Sequence, residues 1–471
     1  MNFTDDFSDE NSLSFLDNEK LKSKVQKCKE YVSKGQTIAF LDNIEETIQL
    51  CIEYDFTEDG IFLTEAALEI SPYSSELWHS RGIFFNNLFE FEKAYVCFNK
   101  SLSLNPSDVE TMINKAIAED NLGLWDEAIN TLNTALSLEP NNEEILFNLG
   151  IFYERNDYFE KAIPYFIQTL NYDKEYSEAW YELGFCYECT NQFEKAKESY
   201  KSFLEIDPYN SNGWYNLGIV NLKTEDYYEA INNFELSTAL NDDFVNSWFN
   251  LGVAYTKTNQ ISKAKKSFIK AFELDPFDYS IPLNIAQTCE ADGDYEDAYK
   301  YFLASKKLNK TCTENYVGLG NYYSRKNNFH LMIEYFSQFI KYSLAQRIEY
   351  NDSHNYDIIL SEIFIEMEEL ENLEEKTSEE LFELAEIYFE IGRWSDAKKI
   401  YMNLLESKYN RSEIFYELAM CNFMLQNNEI ALSNLISAFE SNPGTENIFL
   451  EEFPLLDSTQ LYINIFNSIY F

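Results

Sequence analysis

The chain is poor in the residues that catalysis and metal chemistry most often need. It has only three histidines in 471 residues: His79, His330 and His354. None sits at helical spacing from another or in a His-Glu-x-x-His run, so a zinc-hydrolase motif is absent. Eight cysteines are too few for a disulfide scaffold. The one Cys-x-x-Cys, Cys186 to Cys189, has no second pair or histidine pair to complete a structural zinc site. Those thiols are expected to serve packing, and no metal, cofactor or enzymatic activity is expected. Positive charge is also scarce. Lys and Arg number 36 against 81 Asp and Glu, a formal net charge of −45. That balance opposes nucleic-acid phosphates and anionic membrane surfaces, and it favours a basic partner or simple solubility. No apolar run of about 18 residues exists to span a bilayer. The opening Met1-Asn2-Phe3-Thr4-Asp5-Asp6 is acidic and unlike a signal peptide. A cytoplasmic, reduced chain is therefore expected. No glycine-rich phosphate loop is present, because Gly318-x-Gly320 lacks the third glycine and a preceding strand.

What the chain has is a period. Trp180, Trp214 and Trp248 follow one another at 34 residues, and Trp78 lies three periods before Trp180. The stretches around them align as Trp-Tyr-Glu-Leu-Gly, Trp-Tyr-Asn-Leu-Gly and Trp-Phe-Asn-Leu-Gly. A fixed period of this length marks a solenoid of helix pairs, each too small to bury its own apolar face. With position 1 set three residues before each tryptophan, units begin at Ser75, Val109, Glu143, Ser177, Ser211, Val245, Tyr279 and Thr313, and a weaker one at Leu41.

Position 8 is always small, as at Gly82, Ala116, Gly150, Gly184 and Gly252. A mid-helix glycine costs roughly 1 kcal/mol against alanine, so close approach of the second helix is expected there. Position 20 is Ala from Ala94 to Ala298, and position 24 is large, as at Phe98, Phe166, Tyr200 and Phe268. Small against large is how two helices interlock. Proline at position 32, as at Pro106, Pro140 and Pro208, stops the second helix. Gly or Asn at position 15, as at Gly123, Asn191 and Asn259, suits a left-handed turn between the two helices.

Trp or Leu at position 4, Leu-Gly at 7 and 8, Tyr at 11, Ala at 20, Phe at 24 and Pro at 32 together resemble the tetratricopeptide repeat. Abundant Phe, Tyr, Ile, Asn and Lys, whose codons are AT-rich, point to a bacterial type. The resemblance implies an all-α, right-handed superhelical solenoid of antiparallel helix pairs. In that family the first helices line a concave face that holds peptides. The organisation then reads as follows. Residues 1–40 are an acidic tail, disordered by composition to residue 18, and a Lys-rich helix. Residues 41–346 are an array of about nine repeats. Residues 347–377 are an acidic degenerate repeat or insertion, entering the glutamate-rich run Glu362, Glu366, Glu368, Glu369, Glu371, Glu374, Glu375, Glu379 and Glu380. Residues 378–445 hold two further repeats, and 446–471 a C-terminal capping helix.

Positions 2, 5, 9 and 12 share one helical face. Position 5 reads Phe147, Tyr181, Tyr215 and Phe249 across the middle repeats, and position 9 is also apolar. The stripe is expected to be either half covered by neighbouring first helices or an exposed binding surface. Position 6 reads Asn114, Asn148, Glu182, Asn216, Asn250 and Asn284. This row resembles the asparagine ladder in the repeats of O-linked N-acetylglucosamine transferases, whose catalytic domain has no counterpart here. It implies a grip on peptide backbone, since an amide both donates and accepts. The basic clamp of chaperone adaptors is missing, because position 5 is never Lys or Arg. The chain is thus expected to be a non-enzymatic scaffold or adaptor that binds a protein or peptide, with no nucleic-acid or membrane partner. A self-assembling oligomer, joined through the apolar C-terminal helix, and a regulatory subunit of a separate enzyme are the alternatives.

Overall fold

The computed structural model describes residues 7–352, 365–373, 375–407, 409, 411–457 and 459–470. His354, Glu362 and Glu374 lie outside them. Among the described residues the secondary structure is helical, with no strand. The chain divides into two compact units, one ending at Glu225 and the other starting at Asp226.

The first unit opens with the helix Phe7–Ser33. Residues 7–18, expected to be disordered, are therefore helical. Leu21, Val25 and Cys28 bury this helix against the pair Leu41–Glu53 and Thr57–Ile70. Its lysines face acids: Lys24 pairs with Glu46 at 2.9 Å, and Lys29 with Asp59. Four helix pairs follow: Ser75–Asn87 with Phe91–Leu104, Val109–Asn121 with Trp125–Leu138, Glu143–Arg155 with Phe159–Tyr172, and Ser177–Cys189 with Phe193–Ile206. Ser211–Lys223 ends the unit. Side-chain caps start several of these helices. The Asp108 carboxylate accepts from the Thr111 amide at 3.2 Å, and Asn142 Oδ1 from the Ile145 amide at 3.1 Å.

The small and large positions interlock as the period implies. Phe166 and Tyr200 are fully buried. A Cβ on Gly150 would come within 2.5 Å of the Phe166 ring, and one on Gly184 within 2.8 Å of Tyr200. Position 15 is left-handed throughout, also where the residue is neither Gly nor Asn. Gly123 has φ 75° and Asn191 57°, but Phe89 at 59° and Asp157 at 61° are left-handed too. Left-handed backbone costs an ordinary L-residue roughly 1–2 kcal/mol, so the packing of the two helices enforces the turn against local preference. Each tryptophan of the period adds a bond of its own. Trp78, Trp180 and Trp214 donate Nε1–H to the carbonyls of Pro72, Lys174 and Pro208, six residues earlier, at 3.0, 3.0 and 2.9 Å. The half-buried indole thus ties the turn between repeats to the helix that follows it.

The second unit repeats these devices and then departs from them. Trp248 donates to the Asp242 carbonyl at 2.8 Å, and Tyr316 takes over the same role with Lys310 at 2.5 Å. The pairs are Val245–Lys257 with Ile261–Leu274, Ser280–Asp292 with Tyr295–Leu308, Thr313–Arg325 with Phe329–Asp352, Ser378–Glu390 with Trp394–Glu406, and Arg411–Met424 with Asn428–Ser441. Tyr227–Leu240 precedes them. The helix Phe329–Asp352 runs to 24 residues, where the other second helices of this unit have 13 or 14. Its added length carries the buried Leu344. Against it lie Phe423, 6.0 Å from Phe336, and Phe453, 6.1 Å from Phe339. The end of the chain is two short helices, Gly444–Glu452 and Gln460–Tyr470, joined through a 3-10 turn, Pro454–Leu456. The last helix packs on Thr313–Arg325, some 140 residues back.

Candidate peptide-binding face

In the first unit, Ser75–Asn87, Val109–Asn121, Glu143–Arg155, Ser177–Cys189 and Ser211–Lys223 stand side by side. Their position 5 residues are half-buried, apart from the fully buried Ile113. Phe147 rests 5.7 Å from Phe166 and 4.9 Å from Tyr176. Tyr181 lies 5.2 Å from Phe203. Tyr215 is half-buried one repeat on. The stripe is therefore a row of ring edges rooted in the core, with Phe185 at position 9 its most open member at 36% exposure.

The asparagines of the same unit are half-buried and already engaged on one side. Asn114 Nδ2 lies 3.1 Å from His79 Nε2, and Asn216 Nδ2 donates to the Tyr181 hydroxyl at 2.8 Å. Both bonds join position 6 of one repeat to position 5 of the repeat before. Asn148 Nδ2 instead donates to the Glu144 carbonyl of its own helix at 2.9 Å. Each amide keeps a second N–H and its carbonyl oxygen for another partner.

Acids line the same face. A cavity of about 540 Å³ opens at its N-terminal end, bordered by Glu76, His79, Asp108, Glu110 and Glu139. Burial pulls the His79 imidazole below its usual range, against the pull of Glu110 and Asp108. Farther along, position 12 of one repeat pairs with position 13 of the next. Asp120 meets Arg155 at 2.8 Å, and Glu188 meets Lys223 at 2.8 Å. Glu154 breaks the series, because the corresponding base is replaced by Cys189. Its carboxyl meets Glu182, the residue that interrupts the asparagine row. Burial first, and then the charge of Glu182, push Glu154 up to about 8, and burial raises Glu182 as well. Burial and the neighbouring charge thus favour the protonated form of the Glu154 carboxyl. These inter-repeat acid–base pairs were missed in the sequence, although a spacing of 35 residues between Asp120 and Arg155, and between Glu188 and Lys223, signals them.

In the second unit, Phe249 packs 5.5 Å from Phe268. Asn250 and Asn284 donate to the carbonyls of Asn246 and Ser280 on their own helices, at 3.0 and 2.9 Å. At Thr313–Arg325 the chain covers its own face. Val317 packs against the core, and a Cβ on Gly320 would come within 2.7 Å of Leu461. Asn321 Oδ1 accepts the Leu461 amide at 3.0 Å, and Asn464 bonds Ser324. Val317 and Asn321, at positions 5 and 9 of this repeat, are therefore engaged within the chain. Cys186 is fully buried, and burial pushes its thiol up, while Cys189 is exposed. Among the described residues no group of three His, Cys, Asp or Glu could hold a metal ion, and no helix is long and apolar enough to cross a membrane.

The description "Tetratricopeptide repeat" matches residues 75–108, 145–175, 177–210, 211–244, 245–278 and 381–407, and "TPR repeat" matches 121–157. No curated protein matches the chain. Solved structures that resemble it include MamA from Desulfovibrio magneticus, 21% identical, covering 36% of this chain and 96% of that one with a TM-score of 0.35. YrrB, described as a TPR protein with an unusual peptide-binding site, is 18% identical over 39% of this chain and 95% of its own, with a TM-score of 0.37. The C-terminal part of a TPR repeat-containing protein from Cytophaga hutchinsonii is 16% identical over 51% and 99%, with a TM-score of 0.44. With helix pairs recurring every 34 residues and matched segments in both units, the chain belongs to the tetratricopeptide repeat family.

Proposed function

We propose that the first unit binds an extended, basic peptide segment along the face of its first helices, and that the protein acts as a scaffold without catalysis of its own. The observation that carries this reading is the row of half-buried rings beside amides with spare capacity. Apolar side chains of the ligand would meet Phe147, Tyr181 and Tyr215. Its backbone would meet Asn114, Asn148 and Asn216, each bond contributing about 0.5–1.5 kcal/mol net. The acids of the 540 Å³ cavity and the Glu154–Glu182 pair support a Lys- or Arg-bearing ligand. Phe249, Asn250 and Asn284 hold the same repeat positions in the second unit. All eight thiols are free, which supports a reducing compartment such as the cytoplasm. Self-association through the last helix is less favoured, since Leu461, Tyr462 and Ile465 are buried within the chain, and Ile463, at 43% exposure, is what remains for a second copy among the described apolar side chains of that helix.

The test is a peptide array probed with the full chain. Bound sequences should be enriched in Lys and Arg and lose affinity with salt, since screening acts over about 8 Å at physiological ionic strength. Replacing Asn148 and Asn216 together by Ala should weaken binding about ten-fold or more while circular dichroism stays unchanged. Undiminished binding by the folded double variant would move the site off this face.

A further inference from the structure

The second unit holds a cavity of about 670 Å³ whose charge runs against that of the whole chain. It lies where the second helices Tyr295–Leu308 and Phe329–Asp352 meet the end of Arg411–Met424. Lys306, Lys307, Lys310 and Lys341 line it, with Glu334 as the one carboxylate among its lining residues. In a chain with 81 acids against 36 bases, four ammonium groups against one carboxylate are a local reversal of sign. Among the described residues no ion pair joins any of the four to a carboxylate. Lys306 is the most enclosed. Its Nζ lies 4.8 and 4.7 Å from the ring centroids of Tyr316 and Tyr335, and it donates to Gln338 Oε1 at 3.3 Å. Burial pulls this amine below the usual lysine range, against the charge of Glu334. A second and independent feature is Ser337, which also lines the cavity. It is only 3% exposed, and its Oγ has no hydrogen-bond partner. Buried hydroxyls almost always have one.

We infer that this cavity binds a small molecule carrying phosphate groups. Its volume falls in the range of ligand pockets, about 300–1,000 Å³. Lysine ammonium groups bind phosphate as compact point charges, and four of them line this cavity beside one buried hydroxyl, a donor set that suits the several charged oxygens of a phosphate group. The Ser337 hydroxyl supplies a neutral donor to a phosphate oxygen. The site is separate from the acidic face of the first unit and takes a ligand of opposite charge.

Calorimetric titration of the full chain with inorganic pyrophosphate, at constant ionic strength, tests this. Saturable binding at one site per chain is expected. Lys306→Gln and Lys341→Gln should each weaken it about ten-fold or more, as for loss of a charged hydrogen-bond partner. Ser337→Ala should weaken it several-fold, and Lys195→Gln, in the first unit, should leave it unchanged. If Lys306→Gln fails to fold by circular dichroism, the exposed pair Lys307→Gln and Lys310→Gln carries the test, again with about a ten-fold loss. Citrate, a carboxylate of comparable charge, should bind at least ten-fold more weakly. Absent or unsaturable binding, an equal loss in Lys195→Gln, or citrate binding as tight as pyrophosphate would each overturn the assignment.

Discussion

On Glu143–Arg155 the small residue Gly150 receives Phe166 from its own second helix, and the face beyond it, with Phe147 and Asn148, stays half-open. On Thr313–Arg325 the same small position, Gly320, receives Leu461 from the last helix of the chain, and the neighbouring Asn321 accepts a backbone amide of that helix. The fold is the same and the occupant differs. In the second unit the long helix Phe329–Asp352 and the pair behind it bring the C-terminus back onto the repeat. In the first unit no described segment of the chain does this at Phe147 and Asn148. The contrast shows that this face can hold a helix through an apolar anchor, Leu461, and amide bonds at Asn321 and Asn464. It also shows that an asparagine here has two possible employments, one structural and one available to a ligand.

The largest expected effect breaks the occupied face. Leu461 is fully buried, so Leu461→Ala should cost about 2–5 kcal/mol, the range for buried leucine truncation. Hydrogen exchange should then speed up over both 460–470 and Thr313–Arg325, while amides of the first unit keep their protection. Uniform loosening of the whole chain, or none, would show that the last helix is not the local cover inferred here.

The next effect sharpens the open face. Unfolded, Glu154 ionises near its ordinary 4.5, and folded, near 8. Between those values the folded chain holds a proton that the unfolded chain has lost, so stability falls as pH rises through this window. Glu154→Gln removes that dependence. Allowing for solvent screening of a part-exposed pair, the variant should be more stable than the parent by about 1–2 kcal/mol at pH 8 and nearly equal to it at pH 4. Denaturant titrations at several pH values would show parallel curves for the two proteins if burial did not raise Glu154 in the folded chain.

Much of the fold was legible because packing imposes a period. Gly150 against Phe166, and the alanines at position 20, follow directly from small and large residues 16 and 12 positions along. Helix starts at Ser75, Val109, Glu143, Ser177, Ser211, Val245 and Thr313 coincide with the period. The turn at Phe89 was not legible from local chemistry, since tertiary contacts hold that residue in a conformation it disfavours. The indole bonds were hidden for a related reason: a tryptophan conserved by the period reads as bulk, while its N–H role depends on where the preceding turn ends. The docking of Gln460–Tyr470 joins residues 140 positions apart, beyond any periodic signal. The lysine cavity gathers side chains from five helices, and of its lysines Lys306, Lys307 and Lys310 lie close in sequence while Lys341 does not.

The smallest effect separates the two employments of asparagine. Asn321 accepts the amide of Leu461 and so serves the start of the last helix. Losing such a cap typically costs about 0.5–2 kcal/mol, and Asn321→Ala should fall in that range, with faster exchange confined to 460–470. Asn148 donates only to the Glu144 carbonyl of its own helix, which already belongs to the helical ladder. Alanine is the better helix former by roughly 0.7 kcal/mol, so Asn148→Ala should leave stability unchanged or raise it by up to about 0.5 kcal/mol. Paired denaturant titrations check the difference in sign. A clear destabilisation by Asn148→Ala would make that residue structural like Asn321, and the amides of the first unit would then have no surplus for a ligand.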